Sequence, residues 1–167
     1  MYFNQINIDK ISIDKDYNIR YKNSKNEIKP LLIKSPELIS PFGLDKEYNN
    51  YYIKAQLRKD RDINLNNQKK LFIKFIENLE TLFKIELGKE VNSQIRYSKN
   101  YDPIITLKLI TFKNKISTEV KKGTEFFNIF NLPKNSSFIS EFIIDKLWIY
   151  NDIIYYKIKL KKINISV

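Results

Sequence analysis

The period of the apolar residues changes once along this chain, and that change most restricts how it can fold. From about residue 64 to 87, Leu65, Leu71, Phe72, Phe75, Ile76, Leu79, Leu82 and Phe83 recur at three- and four-residue spacings around Lys70, Lys74, Glu77 and Glu80. This spacing puts the apolar side chains on one stripe of a long helix. Gly88 supplies the stop, because glycine takes the left-handed conformation that ends helices. The stripe is expected to be buried against the chain's own sheet rather than against a second copy.

Outside that segment the apolar residues mostly alternate, the pattern of half-buried strands. Phe3, Ile6, Ile8, Ile11 and Ile13 predict a strand or hairpin edge, and Leu31-Leu32-Ile33 a short strand bounded by Pro30 and Pro36. The stretch SPELISPFGLDKEYNN, with Pro36, Pro41 and Gly43, predicts a shaped loop. YYIKAQLRK predicts a strand with Tyr51, Ile53, Ala55 and Leu57 on one face and Tyr52, Lys54, Gln56 and Arg58 on the other. VNSQIRY and ITLKLITF predict two more strands, and the polar KNK at 113–115 a turn into ISTEV. The aromatic cluster of KKGTEFFNIFNLPKNSS carries no clear period and is left unassigned. SFISEFIIDKLWIY and IIYYKIKLKKINISV predict two long neighbouring antiparallel strands joined by an Asn151-Asp152 hairpin turn.

Short strands plus one amphipathic helix in 167 residues predict a single domain over residues 1–167, mostly β with one long α-helix. The expected architecture is an OB-like curled or closed antiparallel barrel with the helix against one end or face. No apolar run approaches the roughly 18–20 residues that cross a bilayer, so no membrane partner is expected. The chain is read as intracellular.

The alphabet excludes much chemistry. His and Cys are absent, so no His acid/base pair, Cys or His metal site, thiol nucleophile or Ser-His-Asp arrangement can be built. The acid pairs Asp14 with Asp16 and Asp60 with Asp62 read as turn residues rather than metal ligands, and no GxxxxGK loop or dinucleotide glycine motif occurs. No enzyme, metal or cofactor is expected. Lys and Arg total 30 against 19 Asp and Glu, a net charge of +11 that attracts polyanions. Lys supplies 26 of those cations, and with abundant Ile and Asn part of that count reflects an AT-rich genome.

The position of the charge is more specific than its amount. In the last strand Tyr155, Lys157, Lys159 and Lys161 share a face opposite Tyr156, Ile158 and Leu160, and Lys146, Trp148 and Tyr150 share one opposite Leu147 and Ile149. With Tyr52, Lys54 and Arg58 on YYIKAQLRK, three strands interleave cations and aromatics. Lys108 adds a cation on ITLKLITF, and Arg96, Tyr97, Lys99 and Tyr101 a loop-like version in RYSKNY. Single-stranded nucleic acid needs this mixture, since cations neutralise phosphates while rings stack on bases. Trp148 has a second reading as a core residue, and the lysines one as an ordinary solvated face.

The segment IKSPELISPFGLDK (33–46), then YYIKAQL and FIIDKLWIYNDIIYYKIKLKKINI, resembles the single-stranded-DNA-binding proteins described for large eukaryotic DNA viruses. Those are in turn related to OB-fold replication proteins of bacteriophages. The similarity covers residues 18–58 and 118–165, with Pro36, Pro41, Phe42, Gly43 and Trp148 as its clearest points. It implies a groove for single-stranded DNA in replication, recombination or repair, with Lys54, Arg58, Trp148, Lys157 and Lys159 near the ligand. It also implies a virus factory, a virion, or the host cytoplasm or nucleus as the location. Phage relatives end in an acidic tail that recruits replication enzymes, whereas this sequence ends ISV after a basic strand, so recruitment of replication proteins through such a tail is not expected.

Two other classes compete. One is a virion-structural or protein-interaction module whose basic surface meets an acidic partner or a second copy. The other is a carboxylate-only, metal-dependent nuclease. The sequence holds no reader of the 2′-hydroxyl and does not choose DNA over RNA.

Overall fold

The computed structural model describes residues 1–57 and 62–166. Five strands form its centre: β1 (Leu38–Ser40), β2 (Asn50–Gln56), β3 (Ile104–Leu109), β4 (Ser136–Ile143) and β5 (Lys159–Ile165). Each pairs with two others in the ring order β1-β2-β3-β5-β4-β1. All pairs are antiparallel except β3 with β5, which run parallel with Lys108 opposite Lys159. The result is a closed five-stranded barrel of OB type.

Alternation sorts the side chains. Ile53 and Ala55, Ile105 and Leu107, Phe138 and Phe142, and Leu160 point inward and are fully buried. The residues between them, including Lys54, Thr106, Lys108 and Lys159, point outward. β5 departs from strict alternation. Opposite β4, Phe142 pairs with Leu160 but Glu141 pairs with Lys162, so Lys161 is an extra, bulged residue. Lys161 and Lys162 are therefore both exposed, and Ile163 and Ile165 return to the interior.

At the same point β5 changes neighbour, from β3 to a parallel strand at Glu119–Lys122. Buried Thr118 bridges the change: its Oγ1 donates to the Leu160 carbonyl at 2.7 Å and accepts from the Ile110 N–H at 2.9 Å.

The helix α1 spans Ile63–Leu87. Asp62 caps its start by accepting from the Asn64 N–H, and Gly88, at φ 63°, ends it by donating to the Lys84 carbonyl. Phe72, Phe75, Ile76, Leu79 and Phe83 are buried as the spacing predicts, whereas Leu65 and Leu71 fall off the stripe and are exposed. Phe72 makes edge contacts with Phe3 at 5.2 Å and with Phe142 of β4 at 6.0 Å. Phe83 meets Tyr156, whose hydroxyl donates to Glu80. The helix thus packs on its own barrel.

Several expectations are corrected. The stretch 35–50, predicted as a loop, contains β1 and a short strand Leu44–Glu47 that forms a hairpin with β2. β1 is three residues between prolines, too short to show a period; its buried Ser40 is satisfied by donating to the Gly43 carbonyl. Only turns of 3-10 helix and the strand Ile11–Ile13 occupy the first thirteen residues. The two long C-terminal runs are each broken in two: β4 and Trp148–Tyr150 on one side, Ile153–Tyr155 and β5 on the other. The expected antiparallel pairing of the two runs is kept in two pieces, β4 with β5 and Trp148–Tyr150 with Ile153–Tyr155. The turn between the short pair has Asn151 at φ 47° and Asp152 at φ 66°, the two positive angles a type I′ hairpin turn requires. In the unassigned aromatic stretch, Glu125–Phe126 pairs with Glu119–Lys122 and Ile129–Asn131 forms a 3-10 turn.

Among the described residues no helix is long and apolar enough to cross a membrane. Phe72→Ala removes the ring that joins helix, N-terminal turn and barrel, and should cost about 3–5 kcal/mol. Urea denaturation of wild type and variant, with matched m-values, measures it.

Candidate nucleic-acid interface

The hairpin of Leu44–Glu47 with β2 carries different side chains on its two sides. Asp45 lies across from Tyr52 and Lys46 across from Tyr51, so the first pair faces one side and the second the other. On the Tyr52 side the pattern continues onto β3, where Thr106 is opposite Lys54 and Lys108 opposite Tyr52. A groove of about 460 Å³ opens there, lined by Phe42, Asp45, Glu47, Tyr52, Lys54, residues 92–94, Arg96, Ile104, Thr106 and Lys157.

Its electrostatics are those of crowded cations held by a few carboxylates. Lys157 Nζ lies 5.6 Å from the centre of the Tyr52 ring. Lys54 Nζ is 3.4 Å from an Asp45 oxygen, and Lys159 Nζ is 2.9 Å from one of Asp145. Burial, and then repulsion from Lys159 and Lys157, lowers the pKa of Lys108, with Asp145 opposing. Burial, and then the Glu47 carboxylate, raises that of the Tyr52 hydroxyl. The Lys108 shift reflects burial and neighbouring cations, whose repulsion an added anion would relieve, whereas the Tyr52 shift reflects burial and the acid on the hairpin.

Of the residues predicted from sequence, Tyr52, Lys54, Arg96 and Lys157 line the groove, and Lys108 and Lys159 extend it along β3 and β5. Trp148 is not a core residue. It is 41% exposed and stacks on Tyr155, with centroids 5.9 Å apart and planes 17° from parallel. Tyr150 is exposed on the same hairpin, and Lys146 is exposed beside it, bridged to Asn18. None of these four lines the groove.

Tyr97 is tethered, its hydroxyl donating to Glu77 of the helix; burial and that carboxylate raise its pKa. Lys99 and Tyr101 are exposed in the following connection, and Lys161 sits at the bulge. Arg58 lies outside the described residues, as does Asp60.

Asp45, Glu47 and Phe42 join the lining with no local signal in the sequence that brings them to Tyr52. Their proximity to Tyr52 follows from a hairpin that the prolines and the Asn pair disguised as a loop.

The carboxylate pairs behave as turn residues where they are described. Asp14 accepts from the N–H groups of Asp16 and Asn18, at 2.9 and 3.0 Å, and the Asn18 bond leads in lowering its pKa. Among the described residues no group of three or more acids could hold a metal ion.

The barrel and its helix, taken as a fold, have a counterpart among solved structures. The chain has the fold of a phage protein. It is similar to the single-stranded DNA-binding protein from bacteriophage Enc34, in a C-terminally truncated form, with a TM-score of 0.55 over 95% of this chain and 94% of that one. Identity is 14%, so the likeness concerns the fold. No protein-family model matches the chain, and no curated protein does.

Two substitutions check this geometry without any ligand. Trp148→Leu should change stability by less than about 1 kcal/mol, as for a surface residue rather than a core Trp. For Lys108 the lowered pKa means that the folded state disfavours the charged ammonium. The penalty is fully present below the folded pKa and is relieved as pH rises toward the ordinary 10.5. Lys108→Gln should therefore leave the melting temperature equal or higher at neutral pH, with the gain shrinking in alkali; a clear loss would contradict it.

Proposed function

We propose that the protein binds single-stranded DNA with little sequence preference, as a non-catalytic component of viral DNA replication, recombination or repair. The observation that carries this reading is the joined set of Tyr52, Lys54, Lys108, Lys157 and Lys159 on the outward face of β2, β3 and the approach to β5. Four ammonium groups there match a phosphate backbone, and the Tyr52 ring offers a base a stacking surface.

Ammonium groups are point charges that neutralise without selecting a base edge, and among the described residues Arg96 is the one guanidinium in the groove lining. Weak sequence preference follows from that chemistry. Binding exchanges the Asp45 and Asp145 ion pairs for phosphate contacts, so affinity depends on salt and stays below what the lysines alone would give. The shared fold of the phage protein supports the same reading. With this function goes a location in a virus-infected cell or virion, in line with the resemblance noted from sequence, and the partners would be replication proteins or further copies of the chain.

Titration of labelled oligonucleotides at several salt concentrations tests the proposal. Single strands should bind more tightly than duplex, with affinity falling as salt rises. Lys54→Gln with Lys157→Gln should weaken binding and reduce the slope of log affinity against log salt by about one per lysine. Asp45→Asn should strengthen binding, because it frees Lys54 and removes a repelling carboxylate. Equal affinity for duplex, or a salt slope unchanged in the lysine variant, refutes the reading. DNA incubated with the protein and magnesium or manganese should stay intact.

A further inference from the structure

On the other side of the same hairpin lies a second and larger cavity, about 620 Å³, whose lining includes Tyr51, Lys115, Ile116, Phe126, Phe127 and Phe130. Its rings are unusually open. Phe126 is 82% exposed and Phe130 60%, so neither contributes much to the barrel's stability. Phe130 meets Tyr51 edge-on at 5.4 Å.

Two of the lining rings also have a cation beside them. Lys121 Nζ lies 5.3 Å from the centre of Phe126, and Lys46 Nζ 5.5 Å from that of Tyr51. The acid among the lining residues, Glu119, is already paired with Lys121 at 2.8 Å. Lys46 and Lys121 thus stand beside rings, and Lys115 lines the same cavity, in which Phe126 and Phe130 are exposed.

The hairpin connects this cavity to the first groove. Tyr51 and Tyr52 are consecutive on β2 and face opposite sides, one lining each depression. We infer that the cavity is a second subsite for single-stranded nucleic acid, which a strand enters after passing the edge of the hairpin. Bases stack on Phe126 and Phe130 while phosphates meet Lys46, Lys115 and Lys121. This rests on the proposed function of the first groove.

An acidic peptide is the competing occupant. Strand addition would give it little, because the outermost strand, Glu125–Phe126, is two residues long. The repeated unit of one ring and one ammonium instead matches the repeat of a nucleotide.

The test is oligonucleotide length. Oligothymidylates from about 4 to 16 nucleotides, the range of OB-fold site sizes, are titrated by fluorescence anisotropy against wild type and against Phe126→Ser with Phe130→Ser. The variant should bind the shortest oligonucleotides like wild type and lose about tenfold in affinity for the longest, the effect of losing one or two stacked bases. Circular dichroism and melting establish that it is folded.

Lys115→Gln with Lys121→Gln serves as a second variant that leaves the rings in place. Its salt slope should fall for long oligonucleotides and not for short ones. Wild type that binds short strands but gains nothing with length, or variants that keep the full gain, would overturn the subsite and leave the first groove standing. Failure of every oligonucleotide to bind would overturn both. Competition at Phe126 by an acidic aromatic peptide, without any length effect of DNA, would assign the cavity to a protein partner.

Discussion

β5 has to hydrogen-bond on both sides for the barrel to close, and its two partners run in opposite directions. With β3 it is parallel and with β4 antiparallel. A parallel neighbour requires a long crossover, here the chain from Ile110 to Ile158, which returns through β4 before β5 is laid down. Once the ring is closed, the pleat leaves each strand two choices, in or out. Leu107 and Leu160 fill the interior because Lys108 and Lys159 do not, and the same alternation sets Tyr52 and Lys54 beside them. The outer basic face is the complement of the apolar core.

That face is held together by opposing charges. Burial, and then repulsion from Lys159 and Lys157, lowers the pKa of Lys108, and two acids moderate the positive charge of the face. Asp45 reaches Lys54 from the hairpin, and Asp145 reaches Lys159 from the segment after β4. Both pairs are about half exposed, where an ion pair is worth a few tenths to one kcal/mol, so they are readily exchanged for another anion. Full neutralisation by more acids would stabilise the fold and abolish its attraction for anions; a few leave both properties in balance.

The sequence made plain whatever depends on neighbouring residues. The helix, its stop at Gly88, the two faces of β2 and the Asn151-Asp152 turn are local, each set by period or by the conformational preference of one or two residues. β1 was hidden because three residues between Pro36 and Pro41 show no period, and with it went the hairpin that brings Asp45 and Glu47 to Tyr52. The parallel pairing of β3 with β5 joins residues about fifty positions apart and leaves no local trace. Trp148 could not be assigned because a ring stacked on Tyr155 at the surface and a ring in a core have the same alternation. Tyr97 resembled a free aromatic until the helix supplied Glu77 as its partner.

The bulge at Lys161 makes β5 unusual in what it would tolerate. The Lys161 side chain points to solvent and carries no packing, and its backbone is an extra unit that the bulge absorbs, so that the phase of the strand is kept on either side. Most side chains could stand there at little cost to folding. Deleting the residue should be tolerated as well, since Leu160 would then be followed by Lys162 outside, Ile163 inside, Asn164 outside and Ile165 inside, the plain alternation of a strand without a bulge. The position is free both in identity and in number, so variation along this strand should appear at Lys161 as substitution or as loss of that one residue, whereas a deletion elsewhere in the strand has no bulge to absorb it.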